Sequence, residues 1–404
     1  MTVAFTDAHV VPVSGDPFVG SVLLEGSVIA AVGPDLAIPD GAEVVDAAGR
    51  WVLPGLVDAH THLGVWEEGE GWAGEDTNEM TDPVMAAARA LDAINPFEQG
   101  FDDALRGGIT AVNVNPGSGN PIGGLTVALK TYGRRVDEMV MRSPSGLKSA
   151  LGENPKRIYG EKSTTPSTRL GVALVLRRAF TAARAHQVAL TRAQEKADVA
   201  PVAGHLVNEA LVQVLRREIP WRQHAHRADD IATAVRISEE FGYELVLDHG
   251  TESYLLADLL ATKGIPVLYG PMIVSRSKVE VRQRDPRAPG MLDRAGVTVA
   301  IITDHPVVPI EYLITQAALA VKEGMDRFAA LRAVTINPAR VLGVADRVGS
   351  LEPGKDADVV LWSGDPLDFF SRPLRVWIEG SEVYTYDEAT GQGVIPPRGS
   401  QRQG

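Results

Sequence analysis

The chain has 404 residues, too many for one small core and enough for a large catalytic domain with a smaller companion. Its 45% hydrophobic and 23% charged residues are ordinary for a globular enzyme, and a net charge of −13 argues against nucleic acid or an anionic membrane surface as a partner. Cysteine is absent, which excludes disulfides, thiolate zinc sites and cysteine nucleophiles, so any metal must sit on imidazole and oxygen ligands.

Residues 1–50 read as short strands, among them 22–24, 28–32 and 43–46, separated by the turn signals Gly33-Pro34, Pro39-Asp40-Gly41 and Ala47-Ala48-Gly49. No basic stretch followed by an apolar run opens the chain, so no signal peptide is expected, and no segment is apolar enough to span a bilayer. The expected location is cytoplasmic. From residue 51 onward strands and helices alternate. Strands are expected at 51–62, 109–115, 219–226, 243–249, 265–269 and 297–304. Helices are expected at 229–241, 253–263 and 310–323, each followed by a glycine suited to a left-handed cap, namely Gly242, Gly264 and Gly324. Extra helix rich in Ala, Arg and Leu fills 168–218. Residues 345–382 return to short apolar strands, and the Gly/Pro/Gln-rich tail after about Asp387 is expected to fray. The pattern predicts an α/β fold: a TIM (β/α)8 barrel at 55–342, and a small β-sandwich built from both termini, 1–54 and 343–404.

Six of the nine histidines fall at the ends of four proposed strands: His60, His62, His224, His226, His249 and His305. Residues two apart on a strand share a face, so Asp58, His60 and His62 are expected on one side, and His224 and His226 likewise. The C-terminal strand ends of such a barrel form its active site. Asp304 follows the apolar run 299–302, so a carboxylate joins the imidazoles at that mouth.

The segment LPGLVDAHTH at 53–62, with Gln223-His224-Ala225-His226, Asp248-His249-Gly250, Thr303-Asp304-His305-Pro306, Thr335–Ala339 and GSLEPGKDAD at 349–358, resembles the amidohydrolase superfamily of metal-dependent hydrolases. The segment Ala150–Arg157 looks like a subgroup near its imidazolonepropionase-like and deacetylase-like members. The resemblance implies that His60, His62 and Asp304 bind one metal and that His224 and His249 bind a second. His224 is preferred over His226, which would face substrate. A bridging anionic ligand is required, with Glu153 favoured and a carboxylated Lys148 as its rival. Lys148, Arg227 and His305 are further candidates for substrate contact.

The implied reaction is hydrolysis of an amide or cyclic amide C–N bond in a small molecule. One or two divalent ions, zinc fitting best, would lower the pKa of water to roughly 7. Asp304 would take the proton from water and pass it to the leaving nitrogen. Two alternatives stand beside it: a mononuclear deaminase of the same fold, and a non-catalytic scaffold on the same barrel. The glutamate usual three residues after the fifth-strand histidine of such deaminases is here Arg227 or Asp229. A homo-oligomer is possible. Two loops border the expected site. The Gly-rich stretch 113–124 reads as a lid or turn whose amides could also hold an anion, without the ending of a phosphate loop. The acidic stretch 67–76 is a solvated loop with a possible gating role, Trp66 or Trp72 serving as a wall.

Overall fold

The computed structural model describes residues 1–195 and 203–398. Five strands open the chain: β1 (Thr2–Val10), β2 (Phe18–Glu25), β3 (Val28–Gly33), β4 (Glu43–Asp46) and β5 (Trp51–Pro54). Eight follow, with helices between them: β6 (Leu56–Thr61), β7 (Ile109–Val114), β8 (Ile122–Lys130), β9 (Val140–Ala150), β10 (Trp221–Ala225), β11 (Leu245–His249), β12 (Val267–Tyr269) and β13 (Val299–Ile301). The chain returns through β14 (Val359–Trp362), β15 (Pro373–Ile378), β16 (Ser381–Asp387) and β17 (Gln392–Val394).

Alternation along β14 ties the two ends of the chain together. It pairs antiparallel with β5, so the terminal segments share one sheet in the order β17-β16-β15-β14-β5-β1-β2-β3, with β4 beside β1. Val359 and Leu361 pack with Phe5, Val10, Leu24 and Trp377 in the core of that sheet. Val360 and Trp362, on the opposite face, join Leu105 and Ile109 in the core shared with the barrel. Lys130 reinforces the junction, its Nζ lying 2.7 Å from Asp356 and 2.8 Å from Asp358 in a nearly dry setting.

The middle eight strands form the second sheet, in sequence order from β6 to β13. Backbone bonds from His62 N–H to the His305 carbonyl and from Asp304 N–H to the His60 carbonyl bring its first and last strands together. Alternation places Val246, Leu268, Ala300 and Ile302 inside, over a floor of Ala339 and Leu342, while Leu247, Val267 and Ile301 face the outer helices.

One strand departs from the all-parallel pattern: β8 runs antiparallel to both β7 and β9. The residues expected as a lid or turn therefore run into a hairpin wall. Pro144 and Gly146 inside β9 hide it from a strand reading, since proline gives no ladder donor and glycine gives no side chain to pack.

Gly242 and Gly264 close their helices with left-handed φ of 78° and 64°, as the sequence suggests. The extra helix is Arg169–Glu195 and Leu206–Leu215; residues 196–202 between them lie outside the described residues. Phe180 anchors it, stacking on Phe241 and Tyr243 with ring centroids 5.1 and 4.9 Å away. The tail is held further than expected. Tyr132 donates to the carbonyls of Pro396 and Pro397, and Arg398 bonds Asp102 and the Pro96 carbonyl. The rest of the tail, 399–404, lies outside the described residues.

Candidate metal centre and its cavity

Strand ends alone do not bring the histidines together; three local irregularities do. The pairing of β6 with β7 shifts between Asp58 and Thr61. Val57 and Ala59 belong to the interior cluster below, yet His60 and His62 also reach the interior above it. A bulge of one residue makes both possible. It also corrects the expectation that Asp58 shares their face. Asp58 instead accepts the His60 N–H and both the N–H and hydroxyl of Thr303, stitching the seam between β6 and the residues after β13. Burial pushes its carboxyl up to about 7.

The other two irregularities are backbone conformations. His249 directly follows inward-facing Asp248, and a left-handed φ of 70° turns its ring back among the others, 4.8 Å from His60 and 4.5 Å from His224. Asp304 has φ 56°. Such values are uncommon outside glycine and cluster at functional sites.

The resulting donors fall into two overlapping groups. The ligating atoms of His224, His226 and His249 lie within 4.8 Å of one another, as do those of His60, His249 and Asp304. Asp304 Oδ1 is 3.3 Å from Nε2 of both His60 and His62. The outer nitrogens are held from behind: His62 Nδ1 donates to the Asn115 carbonyl and His249 Nδ1 to the Gly270 carbonyl, both at 2.9 Å. His226 Nδ1 meets the Thr251 hydroxyl at 2.7 Å. Backing of this kind fixes the tautomer and leaves Nε2 free to ligate.

These residues fit a cation. With His62 Nδ1 donating to the Asn115 carbonyl, Nε2 presents its lone pair to a carboxylate oxygen of Asp304, two acceptors facing each other. His224 is 2% exposed, and both its ring nitrogens lack a partner among the described residues. Burial lowers the pKa of His60, His224 and His249, and pushes His226 down to about 3, which suits neutral ligands. Burial works against ionisation of Asp304, and its carboxyl is held well below the ordinary carboxylate range where positive charge stands among the imidazoles of His249, His60 and His62, a charge that a bound cation would supply.

Beneath the imidazoles lies a network that the sequence reading left out. Asp248 Oδ2 is 2.8 Å from Lys148 Nζ and 3.1 Å from His60 Nδ1, and Arg222 donates to Asp248 Oδ1 and to the Ala59 carbonyl. All four side chains are essentially inaccessible. Although burial raises it, Arg222, Lys148 and His60 keep Asp248 ionised. The parity of Arg222 with His224, two residues on, was the available signal.

The remaining candidates separate. Lys148 sits among the donors, its Nζ 3.3 Å from His60 Nε2. Glu153 does not. It begins the helix Glu153–Glu161, its N–H donates to Glu280, and its carboxylate belongs to none of the donor groups among the described residues. The cause is β9 ending at Ala150, which turns the chain outward before Glu153. Arg227 caps the helix Ala228–Phe241 and pairs with Asp229 instead of lining the cavity. His305 points away from the cavity.

The centre opens into a cavity of about 700 Å³. Trp66 forms part of its wall, whereas Trp72 is 90% exposed and does not. Gly117 and Gly119 line it, but their amides already bond the Thr77 carbonyl and Asn78, so they hold no anion. Four cationic side chains, Arg157, Arg276, Lys278 and Arg284, stand around it.

Comparison with known proteins identifies the fold and the family. A crystal structure of an amidohydrolase from Thermotoga maritima MSB8 superposes with a TM-score of 0.92 at 45% identity, covering 95% of this chain and all of that one. The amidohydrolase tasK of Hapsidospora irregularis is 31% identical over 91% of this chain, which spans 40% of that protein's length. The imidazolonepropionase of Mesorhizobium japonicum is 24% identical, covering 89% of this chain and 91% of that protein. The family model described as "Amidohydrolase family" matches residues 51–386, and the chain belongs to that family.

Proposed function

We propose that the chain hydrolyses the C–N bond of a small amide or cyclic amide that bears a carboxylate. The observation that carries this reading is the contact of Asp304 with His60 and His62, where acceptors meet at 3.3 Å beside His224, whose ring nitrogens have no hydrogen-bond partner among the described residues. His60, His62 and Asp304 would hold one divalent ion, and His224 and His249 a second; zinc suits imidazole and carboxylate donors best. Such an ion supplies a water of lowered pKa and polarises the scissile carbonyl. Asp304, ionised and at the cavity floor, accepts the proton of the attacking water and returns it to the leaving nitrogen. Lys148 is the bridging residue in preference to Glu153. Burial lowers its pKa, a shift toward the free amine that a carbamate with carbon dioxide requires. His226 faces substrate. Arg157, Arg276, Lys278 and Arg284 outnumber the carboxylates Asp285 and Glu323 in the lining beyond Asp304, which favours a carboxylate-bearing substrate such as an N-acyl amino acid or dipeptide.

Elemental analysis of the purified protein, joined to a panel of N-acyl amino acids, dipeptides and cyclic amides, tests the proposal. Cleavage should be lost on chelation and restored by zinc. Undiminished turnover after chelation would reject it, and ammonia release in place of amide cleavage would redirect it to deamination.

A further inference from the structure

We infer that the chain carries a separate metal site outside the cavity, in which His305, Glu98 and Glu68 hold one divalent transition-metal ion. It does not depend on the reaction proposed above, because none of these residues lines the cavity.

The ligating atoms of the three lie within 4.8 Å of one another. His305 is fully buried, and neither ring nitrogen has a partner among the described residues. Its Nε2 stands 3.9 Å from Glu68 Oε2, too far for a hydrogen bond. Glu98 is 4% exposed and precedes the helix α1 (Gln99–Arg106) as its cap. One carboxylate oxygen accepts the Gly100 N–H at 2.8 Å, while the other, Oε2, makes no hydrogen bond of ordinary geometry among the described residues, with the Glu68 N–H nearby. A buried imidazole and a buried carboxylate oxygen are thus both left unpaid at one place, a combination that native structures rarely leave without a ligand or water.

Gly100 keeps the space between them open. A Cβ built there would meet His305 Nε2 at 2.7 Å and Glu98 Oε2 at 2.8 Å. Ligands about 2.0–2.2 Å from a common ion stand at most about 4.4 Å apart, so the 3.9 Å between His305 and Glu68 suits a shared cation. The positive end of α1 opposes a cation, but its half charge is outweighed by two carboxylates. One imidazole with two carboxylates matches zinc or manganese better than calcium.

Glu68 belongs to the acidic loop that continues from Trp66, a wall of the cavity. An ion here ties that loop to α1 and to the residue after Asp304, so the site would order the entrance from outside it.

The probe is zinc, added to metal-stripped protein. Wild type should bind one more equivalent than Glu68→Ala or Glu98→Gln, by elemental analysis after dialysis. Crystals of the zinc-loaded protein should give an anomalous peak between His305 and Glu98, separate from any at the cavity histidines. Glu68 is exposed, so its removal leaves the fold intact, and Gln at 98 keeps the acceptor for Gly100. Equal zinc content in wild type and both variants overturns the inference, as does an anomalous map with peaks at the cavity histidines and none at His305.

Discussion

Replacing Glu280 by Gln should stabilise the protein more at pH 8 than at pH 5. Glu280 is 1% exposed, and its carboxylate receives the Glu153 N–H and packs where a side chain on Gly152 would stand. Burial pushes its carboxyl from 4.5 up to about 7, with the charges of Glu153 and Asp230 adding to the rise. Between those values the folded state holds a proton that the unfolded chain has released. The stabilisation from this group is therefore present below about pH 4.5 and lost as the pH climbs through about 7. At 1.36 kcal/mol per pH unit the whole change is about 3.4 kcal/mol, of which about 2.5 kcal/mol falls between pH 5 and 8. An unfolding entropy of about 2.1 cal/mol/K per residue turns that into about 3 °C of melting temperature for a chain of this length. Gln is uncharged throughout and its carbonyl still accepts the Glu153 N–H. Scanning calorimetry of both proteins at pH 5 and 8 isolates the effect, since the rest of the titration cancels in the difference. A gap between variant and wild type that is constant from pH 5 to 8, or narrows, would refute the reasoning.

Asp304→Asn keeps the size of the side chain and one acceptor oxygen but removes the carboxylate proposed to carry the proton; turnover of a cleaved amide should fall about 10²–10⁴-fold at matched metal content, and a drop under 10-fold would remove Asp304 from that role. Lys148→Met should cost one metal equivalent and abolish a carbamate signal from ¹³C-labelled bicarbonate in native-state NMR; two retained equivalents would return the bridging role to another residue. Lys130→Met leaves Asp356 and Asp358 facing each other at the junction of the two sheets, and denaturant unfolding should show a loss of about 3–5 kcal/mol. An unchanged midpoint would mean that Arg347, which also pairs with Asp356, already neutralises the junction.

Periodicity carried much of the architecture. The apolar runs before His60, His224, His249 and Asp304 predict strands, and all four lie in or just beyond barrel strands. The glycine caps at Gly242 and Gly264 were readable because only a residue tolerant of positive φ ends a helix in that way. The hairpin of β8 and β9 was not readable, because proline and glycine in β9 imitate a loop and the antiparallel pairing is a relation between segments. Glu153 lies away from the histidines for a related reason: nothing local says that β9 stops at Ala150 and leaves Lys148 as the side chain of that strand that reaches them.

By itself, then, the sequence determined which groups this protein brings to its chemistry, because residue type and strand parity are local properties. Only the tertiary structure decided which of them meet. The bulge after Asp58 and the left-handed His249 redirect side chains by a single backbone conformation, and burial then selects the partners. The same local motif, Asp304-His305, thereby sends one residue to the cavity and the next to a pocket with Glu98, a division that adjacent positions in a chain cannot announce.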